Sequence, residues 1–178
     1  TLMLNLARHF PDYQALVARG GWQESRFFCP LDFPVIELSG KTLGIIGYGE
    51  LGHAVAQVAQ AFGMQVLIAE HKGKIPRAGR MAFDEVLRQA DFITLHCPLS
   101  PDTQHLISRR ELELMKPSAY LINTARGGLV NEADLLTCLS SGTIAGAALR
   151  EEFPLESVGE LTLKGFAQPQ PTFRVLQG

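Results

Sequence analysis

The sequence predicts an α/β fold built on a doubly wound parallel sheet. From Lys41 onward, short runs of Ile, Leu and Val alternate with amphipathic stretches of helical length, the pattern of repeated strand–helix units. Those runs are apolar nearly throughout instead of at every second residue, as in strands covered on both faces. A glycine loop, GYGELG at residues 47–52, stands at the join between the first such run and the first helical stretch.

In chain order, residues 1–19 carry apolar residues at helical spacing, and Pro11 starts a second helical segment that Gly20 and Gly21 end. Residues 21–40, with Trp22, Pro30 and Pro34, read as a connecting arm with no packed element. Strands are expected at 42–47, 64–69, 91–97, 119–125 and 143–149, and helices at 50–62, 83–89, 108–115 and 131–140. Right-handed crossovers then follow. The last stretch, 150–178, breaks the order, with weak periodicity and no clear strand. The expected organisation is an N-terminal helix and arm (1–40), a dinucleotide-binding domain (41–149) and an atypical C-terminal tail (150–178).

At 178 residues the chain is long enough for one domain with a real core. With 19% charged residues and a formal net charge of -2, it offers no electrostatic reason to expect nucleic acid or an anionic membrane surface. No apolar run approaches the roughly 20 residues that span a bilayer, and nothing reads as a secretory signal. Cys29, Cys97 and Cys138 are widely spaced and outside any CxxC pattern, so reduced thiols in a cytoplasmic protein are expected, with no metal site. A start at Thr1 instead of Met points to a fragment.

GYGELG fits G-x-G-x-x-G in the context that the motif requires, after a strand and at the opening of a helix. Gly47 allows the tight turn, Gly49 lets a pyrophosphate approach the backbone, and Gly52 lets helix and strand pack closely. The free amides around Glu50 and Leu51 would face the phosphates, giving a Rossmann-type NAD(P) site. The competing reading is a plain strand-to-helix turn that needs small residues. The next strand ends at Glu70, about where an acidic residue would bond the adenosine ribose hydroxyls and favour NAD; a solvated strand-end carboxylate is the alternative. Lys72, Lys74 and Arg77 follow and are placed to meet a 2′-phosphate, so NADP stays open.

Three ordered stretches, GKTLGIIGYGELGHAVAQVAQAFGM, ADFITLHCPLSPDTQHLI and LINTARGGLVNEADLLTCL, resemble the D-isomer-specific 2-hydroxyacid dehydrogenase family. Within it they are most similar to the glycerate dehydrogenase/hydroxypyruvate reductase branch. The resemblance implies a nucleotide-binding domain inserted in a flavodoxin-like substrate domain, a homodimer formed through the nucleotide-binding domain, and a small 2-hydroxy or 2-oxo acid as substrate. It also gives Arg126 a role, which is to bind the substrate carboxylate and polarise the carbonyl. A planar fork of donors at the end of a strand suits that task, with Gly127 and Gly128 allowing a sharp turn. A structural ion pair with a carboxylate such as Glu132 is the alternative. Thr124, Ala125 and Arg126 itself are also placed with the cofactor-binding residues, as are His96, Cys97 and Pro98. His96 is equally explained as a strand-end histidine with one hydrogen-bond partner. Thr103 either contacts the cofactor or caps the following helix. His53 reads as surface, and Cys97 and Cys138 as small apolar fillers.

Taking a hydride from a secondary alcohol needs a group to accept the hydroxyl proton. In the family this is a histidine, oriented by a glutamate, and both follow the arginine. The histidines here are 9, 53, 71, 96 and 105, all before Arg126. Where the family continues with Asp-Val and then Glu-Pro, this sequence reads GAALREEFP. A three-residue gap before Arg150 puts Glu152 on the glutamate position, with Glu151 the runner-up; without a gap, Arg150 stands where the aspartate would be. A solvated pair of glutamates is the plainer explanation. The expectation is an NAD-dependent 2-hydroxyacid dehydrogenase whose isolated chain turns over slowly or not at all. The alternative is a non-catalytic NAD-binding module that senses or scaffolds. A short-chain reductase, which needs Tyr-x-x-x-Lys, fails because Val17, Gly52 and Thr124 follow Tyr13, Tyr48 and Tyr120 at that spacing.

Overall fold

The computed structural model describes residues 1–149 and the backbone of two further segments, 155–161 and 170–175. The N-terminal segment folds as α1 (Leu2–Arg8) and α2 (Phe10–Ala18). Pro11 lies in the first turn of α2, where a missing amide proton costs nothing. Gly20, at φ 85°, ends α2. The arm that follows differs from the expectation in two ways. Gly21–Glu24 forms a short helix, α3, and Phe33 and Leu38 are buried. The prolines break its periodicity, but burial of single large side chains does not require a regular element.

The parallel sheet contains β1 (Thr42–Ile46), β2 (Gln65–Ile68), β3 (Phe92–Leu95), β4 (Tyr120–Asn123) and β5 (Gly146–Leu149), in the order β2-β1-β3-β4-β5. An isolated parallel bridge between Ala69 and Met81 borders β2. With that one-residue edge counted as a strand, the order becomes the 3-2-1-4-5-6 of a dinucleotide-binding sheet. The intervening helices are α4 (Glu50–Ala61), α5 (Phe83–Gln89), α6 (Arg109–Leu114) and α7 (Glu132–Ser140). Each expected strand and helix of residues 41–149 is present, α5 with the expected bounds and the others trimmed by one to three residues at one or both ends.

Side chains of each strand point alternately to two cores. Leu43, Ile45, Phe92, Tyr120 and Ile122 pack with α1 and α4 on one face. Ile46, Ile93, Leu95 and Leu121 pack with α5, α6 and α7 on the other. Both faces are therefore covered, which is why the strands read as continuous apolar runs. Ala7 of α1 is fully buried, so this helix docks within its own chain. Asp91 ties β1 to the β3–β4 region, accepting from the Thr42 amide at 2.8 Å and from Lys116 Nζ at 2.8 Å.

The tail corrects the expectation of no clear strand. Leu155–Leu161 and Gln170–Val175 form an antiparallel pair, β6 and β7, with a register shift between Ser157 and Gly159. Prolines and the shift mask the period-2 pattern that would have announced it.

Candidate functional site

A cleft of about 700 Å³ opens at the C-terminal ends of β1, β2 and β3. Open α/β sheets bind ligands there, where successive strands diverge to opposite sides of the first. Gly47, Gly49, Glu70, His96, Cys97, Pro98 and Thr103, all singled out in the sequence, line it. Glu50, Leu51 and Gly52 stand beside it in the first turn of α4.

The three glycines of the loop are there for different reasons. Gly47 has φ 92°, and a Cβ would lie 2.5 Å from the Cys97 amide nitrogen. A Cβ on Gly52 would lie 2.3 Å from the Gly47 carbonyl oxygen. The chain's own packing thus demands both. Gly49 differs: its φ is -87°, and nothing stands within 4 Å of the Cβ position. Neither strain nor packing requires a glycine at this point. It leaves open space over the N-terminus of α4, whose N-cap makes no side-chain hydrogen bond. Free amides and the helix dipole meet in that space, and a pyrophosphate fits it.

At the β2 end, Glu70 is buried. Its Oε2 accepts from Arg77 Nε at 2.6 Å and its Oε1 from Arg77 Nη2 at 2.7 Å. The His71 amide at 2.9 Å and His71 Nδ1 at 2.8 Å also meet Oε1. The Arg77 fork holds the Glu70 carboxyl well below the usual range, with the His71 amide assisting. Lys72 and Lys74 line the cleft near it, together with Arg80, which the sequence reading passed over because no local motif marks it. Lys72 is pinned by Glu111 Oε1 at 3.0 Å. Glu111 is buried at the start of α6, where it also accepts from the Ser108 amide in a capping box.

At the β3 end, His96 places Nε2 3.0 Å from Thr94 Oγ1, and burial pushes its pKa down. It lines the cleft and has one side-chain partner, Thr94, on its own strand. Burial raises the Cys97 and Cys138 thiols, consistent with apolar fillers. His53 is exposed, edge-on to Tyr48. Thr103 caps no following helix: its hydroxyl donates to the Pro98 carbonyl at 2.7 Å and accepts from the Ser100 amide at 2.8 Å, closing the turn at 98–103. Ser108 caps α6 instead.

Thr124, Ala125 and Arg126 follow β4 on the same edge of the sheet but are not among the residues lining the cleft. Arg126 is exposed, with Nη1 donating to the Ala125 carbonyl at 2.9 Å. The turn after it is a 3₁₀ turn, Gly127–Leu129, and neither glycine has positive φ. The expected need for glycine freedom is therefore corrected, and Gly128 is instead crowded by Leu99. What shapes the loop is Asn123, a role not read from the sequence. Buried at the end of β4, it donates from Nδ2 to the Arg126 carbonyl at 2.8 Å and accepts from the Ala125 amide at 3.1 Å. A polar residue closing an apolar run was the available signal. Glu152 lies outside the described residues. Among the described residues there is no metal-binding cluster and no helix long and apolar enough to cross a membrane.

A family profile described as D-isomer specific 2-hydroxyacid dehydrogenase, NAD binding domain, matches residues 1–157. The chain belongs to this family. It is 49% identical to the glycerate dehydrogenase of Methylorubrum extorquens over 82% of its own length and 46% of that protein. It is 39% identical to the hydroxypyruvate reductase of Blautia hydrogenotrophica over 83% and 47%. The NAD-complexed D-isomer specific 2-hydroxyacid dehydrogenase of Lactobacillus delbrueckii ssp. bulgaricus superposes with TM-score 0.69 at 34% identity, over 83% of this chain and 44% of that one. The chain thus spans about half the length of the curated relatives it matches. The matched portion is the family's NAD-binding domain, and NAD is its cofactor.

Proposed function

We propose that this chain supplies the cofactor-binding half of an oxidoreductase that moves a hydride between nicotinamide and C2 of a small 2-hydroxy or 2-oxo acid of the glycerate/hydroxypyruvate type. The carrying observation is the cleft over α4, where Gly47 and Gly52 serve the chain's own packing and Gly49 leaves room for a ligand. Residues 41–149 form the nucleotide-binding unit in this reading, with 1–40 as its docking helix and arm and 150–178 as its tail. Bound NAD supplies the hydride acceptor. The α4 amides hold the pyrophosphate, the 96–98 loop and Thr103 shape the wall towards the nicotinamide, and Arg126 clamps the substrate carboxylate from the end of β4. The relatives named glycerate dehydrogenase and hydroxypyruvate reductase favour that substrate class, and assembly as a homodimer belongs to the same proposal.

All five histidines precede Arg126, so the 178-residue chain is expected to lack the proton acceptor. Loss of a general base costs about 10²–10⁴-fold. The test pairs calorimetric NADH binding with NADH oxidation in the presence of hydroxypyruvate. Binding with turnover at least about 10²-fold below an ordinary enzyme rate is expected. Turnover at an ordinary rate would show that another group takes the proton, and His96 and Glu152 would be the first to replace. Failure to bind NADH would overturn the cleft's assignment.

A further inference from the structure

Glu111 puts a buried carboxylate at the start of α6, where the cap itself does not need the charge. A capping box works with glutamine as well as with glutamate. Burying a carboxylate is costly unless cations meet it, and here two do. Arg110 Nη1 stands 2.7 Å from Oε1 and Lys72 Nζ 3.0 Å from the same oxygen, while Oε2 accepts from the Ser108 amide at 3.2 Å. Arg110 is exposed and already paired with Asp84 of α5, so it has no need of Glu111. Lys72 is the partner for which a charge at position 111 makes a difference.

The Lys72 ammonium has three fixed neighbours. They are Glu111, the Leu106 carbonyl at 3.4 Å and the Phe83 ring, whose centre is 6.0 Å away. Residue 72 follows β2 and Leu106 precedes α6, so this side chain bridges two segments at one end of the cleft. Lys72, Phe83 and Leu106 line the cleft, whereas Glu111 stands behind them. With the pyrophosphate over α4 and the nicotinamide towards the 96–98 loop, the adenine falls at this end. A loose lysine there would have to be ordered when the base arrives, at a cost in affinity. With its ammonium anchored, its four-carbon stem is already in place as apolar surface for the base. We propose that Glu111 is a positioning residue for dinucleotide binding: from outside the cleft it holds Lys72 across the adenine end, so that the base meets a wall ordered in advance. This rests on the dinucleotide reading of the cleft given above.

Titration calorimetry of the 178-residue chain with NADH and with ADP, at one fixed ionic strength, tests it. Glu111→Gln keeps the capping box and releases Lys72, and should weaken both ligands about three- to tenfold, the cost of ordering one long side chain. Lys72→Ala should weaken both at least as much. In the Lys72→Ala background, Glu111→Gln should change either affinity by less than about twofold, because its effect runs through a side chain no longer there. Circular dichroism checks that each variant is folded, and Lys72→Ala, which touches no cap, carries the test alone should Glu111→Gln fail to fold. Unchanged affinity in either single variant overturns the proposal and leaves the dinucleotide reading intact. So does a loss for NADH without a matching loss for ADP, which would place the effect away from the adenine. Additive losses in the double variant overturn it as well, since a merely structural Glu111 would act independently of Lys72. An unmodified chain that binds neither ligand overturns the proposal together with the reading it rests on.

Discussion

The glycine loop separates residues that serve the fold from one that serves a ligand, although all three are the same amino acid. Gly47→Ala forces a Cβ into the Cys97 backbone at a φ of 92°, which costs at least about 1–2 kcal/mol in left-handed strain alone. Gly52→Ala collides with the Gly47 carbonyl, a backbone atom that has no flexible end to move away. Gly49→Ala meets nothing on the chain. Its thermal midpoint should therefore match the unmodified protein, within the roughly 0.5 kcal/mol typical of neutral surface changes. Its NADH affinity should fall at least tenfold, because the new methyl group occupies the phosphate's approach. Thermal unfolding and NADH titration of the three variants, side by side, check this. A Gly49→Ala chain that binds NADH normally would remove the argument for a pyrophosphate at α4.

Among the elements, the loop after β4 shows how a short polar side chain fixes what a strand end presents. Asn123 bridges the Arg126 carbonyl and the Ala125 amide from a buried position. Asn123→Ala leaves both groups without that partner and should destabilise the chain by about 1–3 kcal/mol. Urea unfolding reads this as a lower midpoint with an unchanged slope; a loss below about 0.5 kcal/mol would show that the loop holds its shape without Asn123. The sequence made β4 legible because YLIN is apolar up to its last residue, and it made α4 legible through the glycine loop. It did not make Asn123 legible, because two hydrogen bonds to the next turn leave no periodic mark. The β6–β7 pair stayed hidden for a related reason: Pro171 and the shift at Ser157–Gly159 interrupt the alternation that strand recognition needs. The Glu70–Arg77 fork could not be read from spacing, since a seven-residue separation in an irregular segment fixes no direction for either side chain.

Across the whole molecule, three ionisable groups push stability in one direction with pH. Burial alone would raise the Asp91 carboxyl, but Lys116 and the Thr42 amide overcome it and hold the group below its ordinary 3.8. Burial likewise opposes ionisation of Glu111, and Arg110, Lys72 and the Ser108 amide hold it below 4.5. Burial depresses His96 below 6.5. In each case the unfolded chain takes up a proton at a higher pH than the folded one, so ∂ΔG/∂pH for unfolding is positive. The His96 contribution is present above 6.5 and is lost as pH falls from there through its folded value. The two carboxylate contributions are present above 4.5 and 3.8 and are lost below those values. These carboxylates join elements far apart in sequence: Asp91 ties β1 to the turn before β4, and Glu111 ties α6 to the cleft wall. Acid should therefore weaken the molecule cooperatively instead of fraying one end. Urea midpoints measured from pH 7 down to pH 3.5 are expected to fall first gently, then steeply below about 4.5. Asp91→Asn should be less stable than the unmodified chain at pH 7, and the gap should narrow towards pH 3.5, where Asp91 of the unfolded chain takes up a proton more readily than in the folded one. A constant gap across that range would mean that Asp91 acts through shape alone, and a flat midpoint would refute the proton linkage altogether.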